Sequence, residues 1–347
     1  MSRSQVSRPL DGEVLEFSAA LEAALGLREL TIEPVSAGHS NLTYFLRAGD
    51  RRLVLRRPPR GPLAPSAHDV LREYRMLAAL EQFDVRVPRV VAACSDPAVI
   101  GAPFYVMEQV DGVVLDPATP PPFDNPVDRA KIGEEMVDTL LELHRVEWRR
   151  SSELTRMGRA DGYLERQVRL WRDLWGHQRT REVPLIDAVG AQLARAIPTS
   201  PGATLVHGDY KVDNVVFSPA APPRLVAVLD WEMATIGDPL ADLGFLTATW
   251  LQGDDPDRLL GLARAGAEEG YPSRVDLVER YAAGAAFPVE RLAWYQSLAL
   301  WKLAILLEGS FGRFKAGTTD DPFFARLQQG VPALAEQAHA ALADGPI

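Results

Sequence analysis

The sequence predicts an α+β protein with two lobes, a small antiparallel-sheet lobe and a larger lobe that is mostly helical. Three observations favour this fold class. Strand-like runs separated by turn residues fill residues 30–109, apolar stripes at helical spacing fill most of the chain after residue 126, and the proline-rich segment Pro117–Pro126 stands between them. We therefore assign residues 1–109 to the first lobe and residues 110–347 to the second.

The first lobe is predicted to be a sheet with one helix. Gly38 and the pair Gly49-Asp50 mark turns, so the first three strands should form an antiparallel meander. Apolar residues at helical spacing predict a helix from Ala67 to Leu80, with Ser66 as its N-cap. The predicted strands of this lobe are Leu30–Val35, Leu42–Arg47, Arg52–Arg56, Val87–Val91 and Phe104–Gln109.

The second lobe is predicted to combine helices with a few short strands. One apolar stripe indicates a helix from about Asp128 to Val146, and a long helix is expected from about Val289 to Gly312. The short apolar runs between these helices predict strands at Thr204–Val206, Val215–Phe217 and Leu225–Leu229.

Composition and charge limit the function classes. The 347 residues include 37 basic and 47 acidic side chains and carry a formal net charge of −10, which argues against a general affinity for nucleic acid or anionic membranes. The single cysteine, Cys94, excludes an internal disulfide and is expected to be a small buried side chain. Residues 1–10 hold no apolar stretch long enough for a signal peptide or a membrane span, so a cytoplasmic location is expected.

The segment His207–Asn214 is the most informative for chemistry. It places an acid, Asp209, and an amide, Asn214, on one short loop between two predicted strands. Phosphoryl transfer requires a carboxylate that positions the attacking hydroxyl and accepts its proton, together with oxygen ligands for Mg²⁺. The spacing equals that of the protein-kinase loop H-R-D-x-x-x-x-N, with glycine replacing the arginine. We therefore predict Asp209 as the catalytic base and Asn214 as a metal ligand.

A second carboxylate, Asp230, follows the next apolar strand. Kinases place the aspartate that is their principal Mg²⁺ ligand at this distance from the catalytic loop. Asp230 is therefore the second predicted metal ligand, and the three side chains Asp209, Asn214 and Asp230 are expected to converge.

The alternative is a purely structural role, in which Asp209 and Asn214 only form hydrogen bonds with local backbone groups, as such residues often do in turns. For Asp213 this structural interpretation is preferred, because the pattern assigns it no role. His207 is interpreted as an anchor that fixes the loop by hydrogen bonds, in preference to a proton shuttle, since Asp209 already supplies the base.

These segments resemble the aminoglycoside phosphotransferase and choline kinase-like superfamily, and especially its branch resembling the kinase domain of acyl-CoA dehydrogenase family members 10 and 11. The resemblance runs from about Leu30 to about Gly317 and implies a protein-kinase-like fold. It rests on Gly38–Tyr44, Leu55–Pro59, Ser66–His68, Arg72–Tyr74, Tyr163–Gln167, His207–Asn214, Asp230–Glu232 and Gly237–Leu243.

The resemblance also implies ATP and Mg²⁺ as cofactors and a set of nucleotide-binding residues. The loop between the first two strands, which includes Ser40 and Asn41, should cover the phosphates, although alone it is hard to distinguish from an ordinary hairpin turn. Family members place a lysine on the third strand and pair it with a glutamate on the next helix.

Arg56 and Glu73 occupy these two positions here. The arginine at position 56 departs from the lysine of the family, because a planar guanidinium and a compact ammonium direct their hydrogen bonds differently. The backbone of Glu108 and Val110 matches the hinge against which kinases hold adenine. Surface or core roles without ligand are the alternatives for each of these residues.

The resemblance further implies an acceptor that is a small molecule with a hydroxyl group. Its closer branch suggests a hydroxyacyl thioester or a related metabolite, with an aminoglycoside as the alternative acceptor. Asp242 is expected to brace the catalytic loop, and Asp238 to cap a helix. Acceptor contacts are hypothesised in the helical lobe, at Tyr163, Arg166, Gln167, Trp171, Trp301, Lys302, Arg313 and Lys315.

Other function classes have little support. The sequence has no G-x-x-x-x-G-K-[ST] loop, no G-x-G-x-x-G fingerprint and no H-E-x-x-H helix. A nucleotide-binding pseudoenzyme is the remaining rival to an active kinase, and Arg56 is the one feature that favours it. Neither nucleic acid nor a membrane is expected as a partner, and the sequence leaves the oligomeric state open.

Overall fold

The structure, a computed structural model, describes residues 11–35, 41–59, 69–115, 119–252, 266–317 and 322–345. Packing divides the chain into two units. The first comprises residues 1–111 together with Leu229–Glu232, and the second comprises residues 112–228 and 233–347. Asp230 therefore packs with the first unit, although it follows a strand of the second. We propose that these units are the two lobes that the sequence predicts.

The first unit is built on a five-stranded antiparallel sheet with the order β1-β2-β3-β5-β4. Gly49 adopts a left-handed φ of 58°, which closes the tight turn between β2 and β3. The strands are β1 (Thr31–Pro34), β2 (Leu42–Ala48), β3 (Arg51–Arg57), β4 (Val90–Cys94) and β5 (Phe104–Glu108).

Alternation along β3 separates the two faces of this sheet. Leu53 and Leu55 are buried in a hydrophobic cluster with Leu21 of the first helix. Arg56, which points to the opposite face, pairs with Glu73 of the second helix. The helices of this unit are α1 (Asp11–Leu25), α2 (Val70–Leu80) and α3 (Pro97–Ile100).

The structure corrects several predictions for the first unit. β4 begins at Val90 rather than Val87, because Pro88 cannot donate a hydrogen bond to a neighbouring strand. Asp69 caps α2 by accepting a hydrogen bond from Arg72 N–H, while the predicted cap, Ser66, lies outside the described residues. Cys94 is only partly buried, because it lies on the edge strand β4.

The second unit is mostly helical. Its two sheets have two strands each and pair β6 (Thr204–Val206) with β9 (Thr235–Gly237), and β7 (Val215–Phe217) with β8 (Leu225–Val228). The helices are α4 (Pro126–His144), α5 (Ser152–Arg156), α6 (Tyr163–Gln178), α7 (Pro184–Arg195), α8 (Leu240–Thr249), α9 (Arg274–Gly284), α10 (Leu292–Lys315) and α11 (Pro322–Asp344).

The helix α10 forms the centre of the second unit. It packs against α6, α7, α8 and α11, and its side chains are buried along most of its length. The predicted helix started three residues earlier, at Val289, whereas the observed one begins after Arg291, which adopts a left-handed φ of 57°. No helix in the described parts of the chain is long and apolar enough to span a bilayer.

Candidate active site

The Asp209 loop, His207–Asn214, connects β6 to β7 in the second unit. Gly208 adopts φ 87°, and a Cβ at this position would lie 2.9 Å from the Met233 carbonyl oxygen. Both observations require glycine. They explain why glycine stands where the protein-kinase loop has arginine.

Asp242 braces the start of this loop, as expected from the resemblance. Its carboxylate accepts hydrogen bonds from the backbone N–H groups of His207, at 2.7 Å, and Gly208, at 2.8 Å. His144 Nε2 lies 3.4 Å away. Burial alone would raise the pKa of the Asp242 carboxyl, but His144, His207 and the Gly208 N–H together hold it below its usual value. Asp242 is therefore ionised and accepts a backbone hydrogen bond at each of its oxygens.

Asn214 fixes the side chain of Asp209. Its amide nitrogen donates to the Asp209 carboxylate oxygen Oδ2 at 2.8 Å and to the Asp209 carbonyl oxygen at 2.9 Å. Because the amide nitrogen is committed to Asp209, the amide oxygen is the atom with which Asn214 can bind a cation. Both side chains are partly exposed, so a ligand can reach them.

The other polar residues of the loop have structural partners. His207 is buried, and its Nδ1 accepts a hydrogen bond of 3.3 Å from the Asp209 N–H. This contact agrees with the anchoring interpretation of His207. Asp213 pairs with Lys211 at 3.2 Å, in agreement with its structural interpretation.

The Arg56 cluster of Arg56, Glu73 and Asp230 lies in the first unit. Arg56 forms a buried ion pair with Glu73, and its Nη2 lies 3.5 Å from Asp230 Oδ1. Glu73 also accepts a hydrogen bond of 3.2 Å from the Trp231 N–H. Burial lowers the pKa of Arg56, but the negative charges of Glu73 and Asp230 outweigh this effect and raise the pKa above its usual value. The guanidinium therefore remains charged.

Asp230 has two features of a functional residue. Its φ of 64° is left-handed, which costs free energy for any residue with a Cβ and is common at functional sites. Its oxygen Oδ1 is buried and makes no hydrogen bond within the described residues. An oxygen in this state suits a hard cation such as Mg²⁺.

Asn41, at the end of the loop before β2, is 5% exposed, and its amide nitrogen donates to Glu232 Oε2 at 3.2 Å. Its amide oxygen is buried without a hydrogen bond in the described parts of the chain. The neighbouring Ser40 lies outside the described residues.

The predicted hinge begins at Glu108, the last residue of β5. The Glu108 N–H donates to the Arg89 carbonyl oxygen at 2.8 Å. The Val110 N–H has no hydrogen-bond acceptor among the described residues. A free backbone donor at this position is compatible with binding the edge of a purine ring.

The predicted site residues thus fall into two groups. Asp209 and Asn214 lie together in the second unit, and Asp230 lies with Arg56 and Glu73 in the first. The convergence of Asp209, Asn214 and Asp230 stays a prediction.

Sequence reasoning assigned no role to two residues of these clusters. His144, at the end of α4, is held between Asp242 and the Tyr281 hydroxyl, which lies 2.6 Å from its Nδ1. Arg72 of α2 donates to the Glu232 carbonyl oxygen at 3.1 Å. The available signal for His144 was a polar residue following the apolar stripe of α4.

A family model described as phosphotransferase enzyme family matches residues 31–277. Acyl-CoA dehydrogenase family member 11 of Rattus norvegicus is 34% identical over 303 residues, which cover 85% of this chain and 38% of that protein. Family member 10 of Mus musculus is 33% identical over 282 residues, covering 81% of this chain and 26% of that protein. The chain therefore spans less than half the length of these relatives.

Solved structures show the same fold. The crystal structure of a candidate aminoglycoside phosphotransferase from Ralstonia eutropha superposes with a TM-score of 0.76 at 29% identity, covering 94% of this chain and 98% of that one. A thermostable mutant of an aminoglycoside phosphotransferase, in ternary complex with ADP and hygromycin B, gives a TM-score of 0.59 at 15% identity, covering 91% and 97%. The latter likeness concerns the fold alone.

The predicted fold class is confirmed, because the small antiparallel sheet, the helical remainder and these neighbours define a protein-kinase-like fold. Since the family model covers most of its length, the chain belongs to the phosphotransferase enzyme family.

Proposed function

We propose that this chain transfers the γ-phosphoryl group of ATP to a hydroxyl group of a small molecule, with Mg²⁺ as the cofactor. The observation that carries the proposal is the Asp209 loop, in which Asn214 orients the Asp209 carboxylate and Asp242 fixes the backbone. A preorganised loop of this kind is what phosphoryl transfer requires, because its catalysis rests on positioning and electrostatic stabilisation.

Asp209 is the proposed base. Its carboxylate would accept the proton of the acceptor hydroxyl as that oxygen attacks phosphorus, and the bond from the γ-phosphorus to the bridging oxygen of ADP would break. The hydrogen bond from the Asn214 amide holds the carboxylate in one orientation, so that little reorganisation is needed when the acceptor binds.

Asp230 and Asn214 are the proposed metal ligands, each through an oxygen atom. A carboxylate and an amide oxygen form a donor set that suits Mg²⁺, which takes its other ligands from water and phosphate. When bound, Mg²⁺ would neutralise charge on the phosphates. Its fit to Asp230 is supported by the buried oxygen that lacks a hydrogen bond.

Arg56 is the proposed phosphate contact, and Glu73 orients it. A guanidinium offers five donors, so Arg56 can retain its contacts with Glu73 and still present N–H groups to phosphate oxygens. Ser40 and Asn41 are proposed to cover the phosphates. The Glu108 carbonyl and the Val110 N–H are proposed to read adenine, and the solved relative that contains ADP supports a nucleotide in this fold.

The proposed acceptor is a hydroxyacyl thioester or a related metabolite. This proposal is supported by the relatives named as acyl-CoA dehydrogenase family members, of which the matching region is one part. An aminoglycoside is the second candidate, supported by the description of the Ralstonia eutropha structure.

The test is ATP consumption with a panel of hydroxylated metabolites and aminoglycosides, measured for wild type and Asp209→Asn. We expect the substitution to lower turnover by about 10²- to 10⁴-fold, the usual contribution of a general base, and to leave ATP binding intact. Asp213→Asn on the same loop is the matched control and should retain turnover.

Equal turnover in wild type and Asp209→Asn would reject the assignment of the base. Binding of Mg·ATP to wild type without any turnover that depends on Asp209 would instead favour the pseudoenzyme.

A further inference from the structure

Lys302 is a buried cation that the proposed phosphoryl transfer does not use. It lies in the middle of α10 and is only 6% exposed. Its ammonium can donate hydrogen bonds but cannot accept them. In the part of the chain that the structure describes, Lys302 makes no hydrogen bond and no ion pair, and its Nζ belongs to the small part of the residue that remains accessible to a ligand. Its one contact of note is the face of the Trp171 ring, whose centroid lies 5.1 Å from Nζ.

An ammonium on a largely buried side chain, without an acceptor in the protein, is costly for the fold. Burial lowers the pKa of Lys302 to about 8, against the opposing effect of Asp242 and Asp209. The side chain is therefore mostly protonated at neutral pH. An apolar side chain at this position would serve the packing of α10 better, so packing does not account for the lysine.

Neutralising Asp242 does not account for it either. The Asp242 carboxylate already accepts two backbone hydrogen bonds and has His144 beside it. Asp209 is the second carboxylate whose charge acts on Lys302. The unpaired ammonium consequently lies within the electrostatic reach of the proposed base.

We propose that Lys302 and the face of Trp171 form an acceptor subsite that binds a carbonyl or carboxylate oxygen of the alcohol whose hydroxyl Asp209 activates. This inference rests on the proposed function, and it narrows the acceptor to alcohols that carry such an oxygen. The ammonium donates to that oxygen, and the ring provides an apolar wall for the carbon chain. An acceptor rich in ammonium groups is disfavoured beside a buried cation, which argues against aminoglycosides.

The test compares alcohols that carry a carbonyl or carboxylate oxygen with alcohols that lack one. The probes are hydroxyalkanoates of four to eight carbons, their methyl esters, their N-acetylcysteamine thioesters and plain alkanols of the same length. For Lys302→Met, we expect the KM of acids, esters or thioesters to rise about ten- to hundredfold, which corresponds to one lost charged hydrogen bond. The KM for ATP and the KM for the alkanols should stay within about twofold.

The three oxygen-bearing series separate the sources of the oxygen. A rise confined to the free acids assigns a carboxylate, and a rise for esters or thioesters assigns a carbonyl oxygen. In wild type, the KM of the affected series should increase above about pH 8, where Lys302 loses its proton, and this dependence should disappear in Lys302→Met.

Two variants guard against a purely structural effect. Lys131→Met makes the same change at the surface of α4, where Lys131 pairs with Glu134 at 3.1 Å, and should leave every KM unaltered. Lys302→Arg keeps the positive charge and should preserve the preference for oxygen-bearing acceptors. The melting temperature of Lys302→Met should equal or exceed that of wild type, because a buried charge is removed.

The inference is overturned if Lys302→Met raises the KM of alkanols and oxygen-bearing acceptors equally, or if it changes neither. Should no probe be phosphorylated, calorimetric titration with the same probes still tests the subsite, while ATP consumption with the wider metabolite and aminoglycoside panel tests the proposed function. Binding of acids, esters or thioesters that Lys302→Met abolishes then supports the subsite. Absence of binding to wild type, or equal binding to both proteins, overturns it.

Discussion

The Asp209 loop and the Arg56 cluster both bury charge, but they stabilise it by different means. At the start of the loop, both oxygens of the buried Asp242 carboxylate accept backbone N–H groups, and His144 lies beside one of these oxygens. In the cluster, Arg56 and Glu73 balance each other, while Arg56 Nε and Asp230 Oδ1 have no hydrogen-bond partner in the described chain. A carboxylate that accepts hydrogen bonds at both oxygens holds the loop backbone in place, whereas a charged cluster with unsatisfied atoms is suited to a ligand.

The largest effect on stability is expected when the loop loses its brace. Asp242→Ala leaves the N–H groups of His207 and Gly208 buried without an acceptor, so we expect the free energy of unfolding to fall by about 3–5 kcal/mol. Urea denaturation measures this loss. Asp276→Ala, which removes the capping-box partner of the exposed N-cap Ser273 in the same unit, should cost only about 1 kcal/mol. A loss below 1 kcal/mol for Asp242→Ala would show that the brace is dispensable.

The Arg56 cluster should respond differently to an apolar replacement. Replacing a buried ion pair with apolar residues of similar volume is neutral or stabilising by about 1–4 kcal/mol, whereas removing one partner costs about 3–5 kcal/mol. Arg56→Met with Glu73→Leu should therefore be more stable than Glu73→Leu alone, although both variants lose the hydrogen bond that Glu73 accepts from the Trp231 N–H.

Calorimetric titration of the double variant with Mg·ATP then separates stability from function. We expect nucleotide binding to be lost in a protein that remains folded. Affinity equal to that of wild type would mean that the cluster is structural and that the contrast with the loop is wrong.

The smallest effect on stability is expected at Asp230, where glycine would relieve the steric strain of the left-handed backbone. Asp230→Gly should be more stable than Asp230→Ala by about 1 kcal/mol, since only glycine adopts φ 64° without steric cost. Both variants should weaken the Mg²⁺-dependent part of ATP binding to the same degree. Normal metal dependence in either variant, or equal stability of the two, would contradict the assignment.

Local patterns were sufficient for most of the elements. β2, β3 and β5 were predicted within a residue or two, because alternating apolar residues and the Gly49 turn specify them locally. The error in β4 arose where Pro88 interrupts an apolar run. The helix Asp11–Leu25 was not predicted, and its side chain Leu21 joins the core only through contacts with distant strands.

In the candidate site, too, some residues were predicted from local spacing, whereas other contacts depend on the tertiary structure. Asp209 and Asn214 are five residues apart, so their spacing alone indicated a shared loop. Asp242 was identified as a brace through resemblance, but its two hydrogen bonds bridge 34 and 35 residues and depend on the position of α8. Among several basic residues of α10, nothing in the pattern distinguished Lys302 from the exposed Lys315.

The sequence by itself determined the α+β class, the strands β1 to β8 in their order, and the placement of Asp209 and Asn214 on one loop, because periodicity and short spacings act within a few residues. Only the tertiary structure decided that Leu229–Glu232 packs with the first unit, that both Asp242 oxygens accept backbone hydrogen bonds and that Lys302 is buried without an acceptor. Burial and long-range pairing depend on which elements meet. That information is spread over the whole chain and is absent from any single segment.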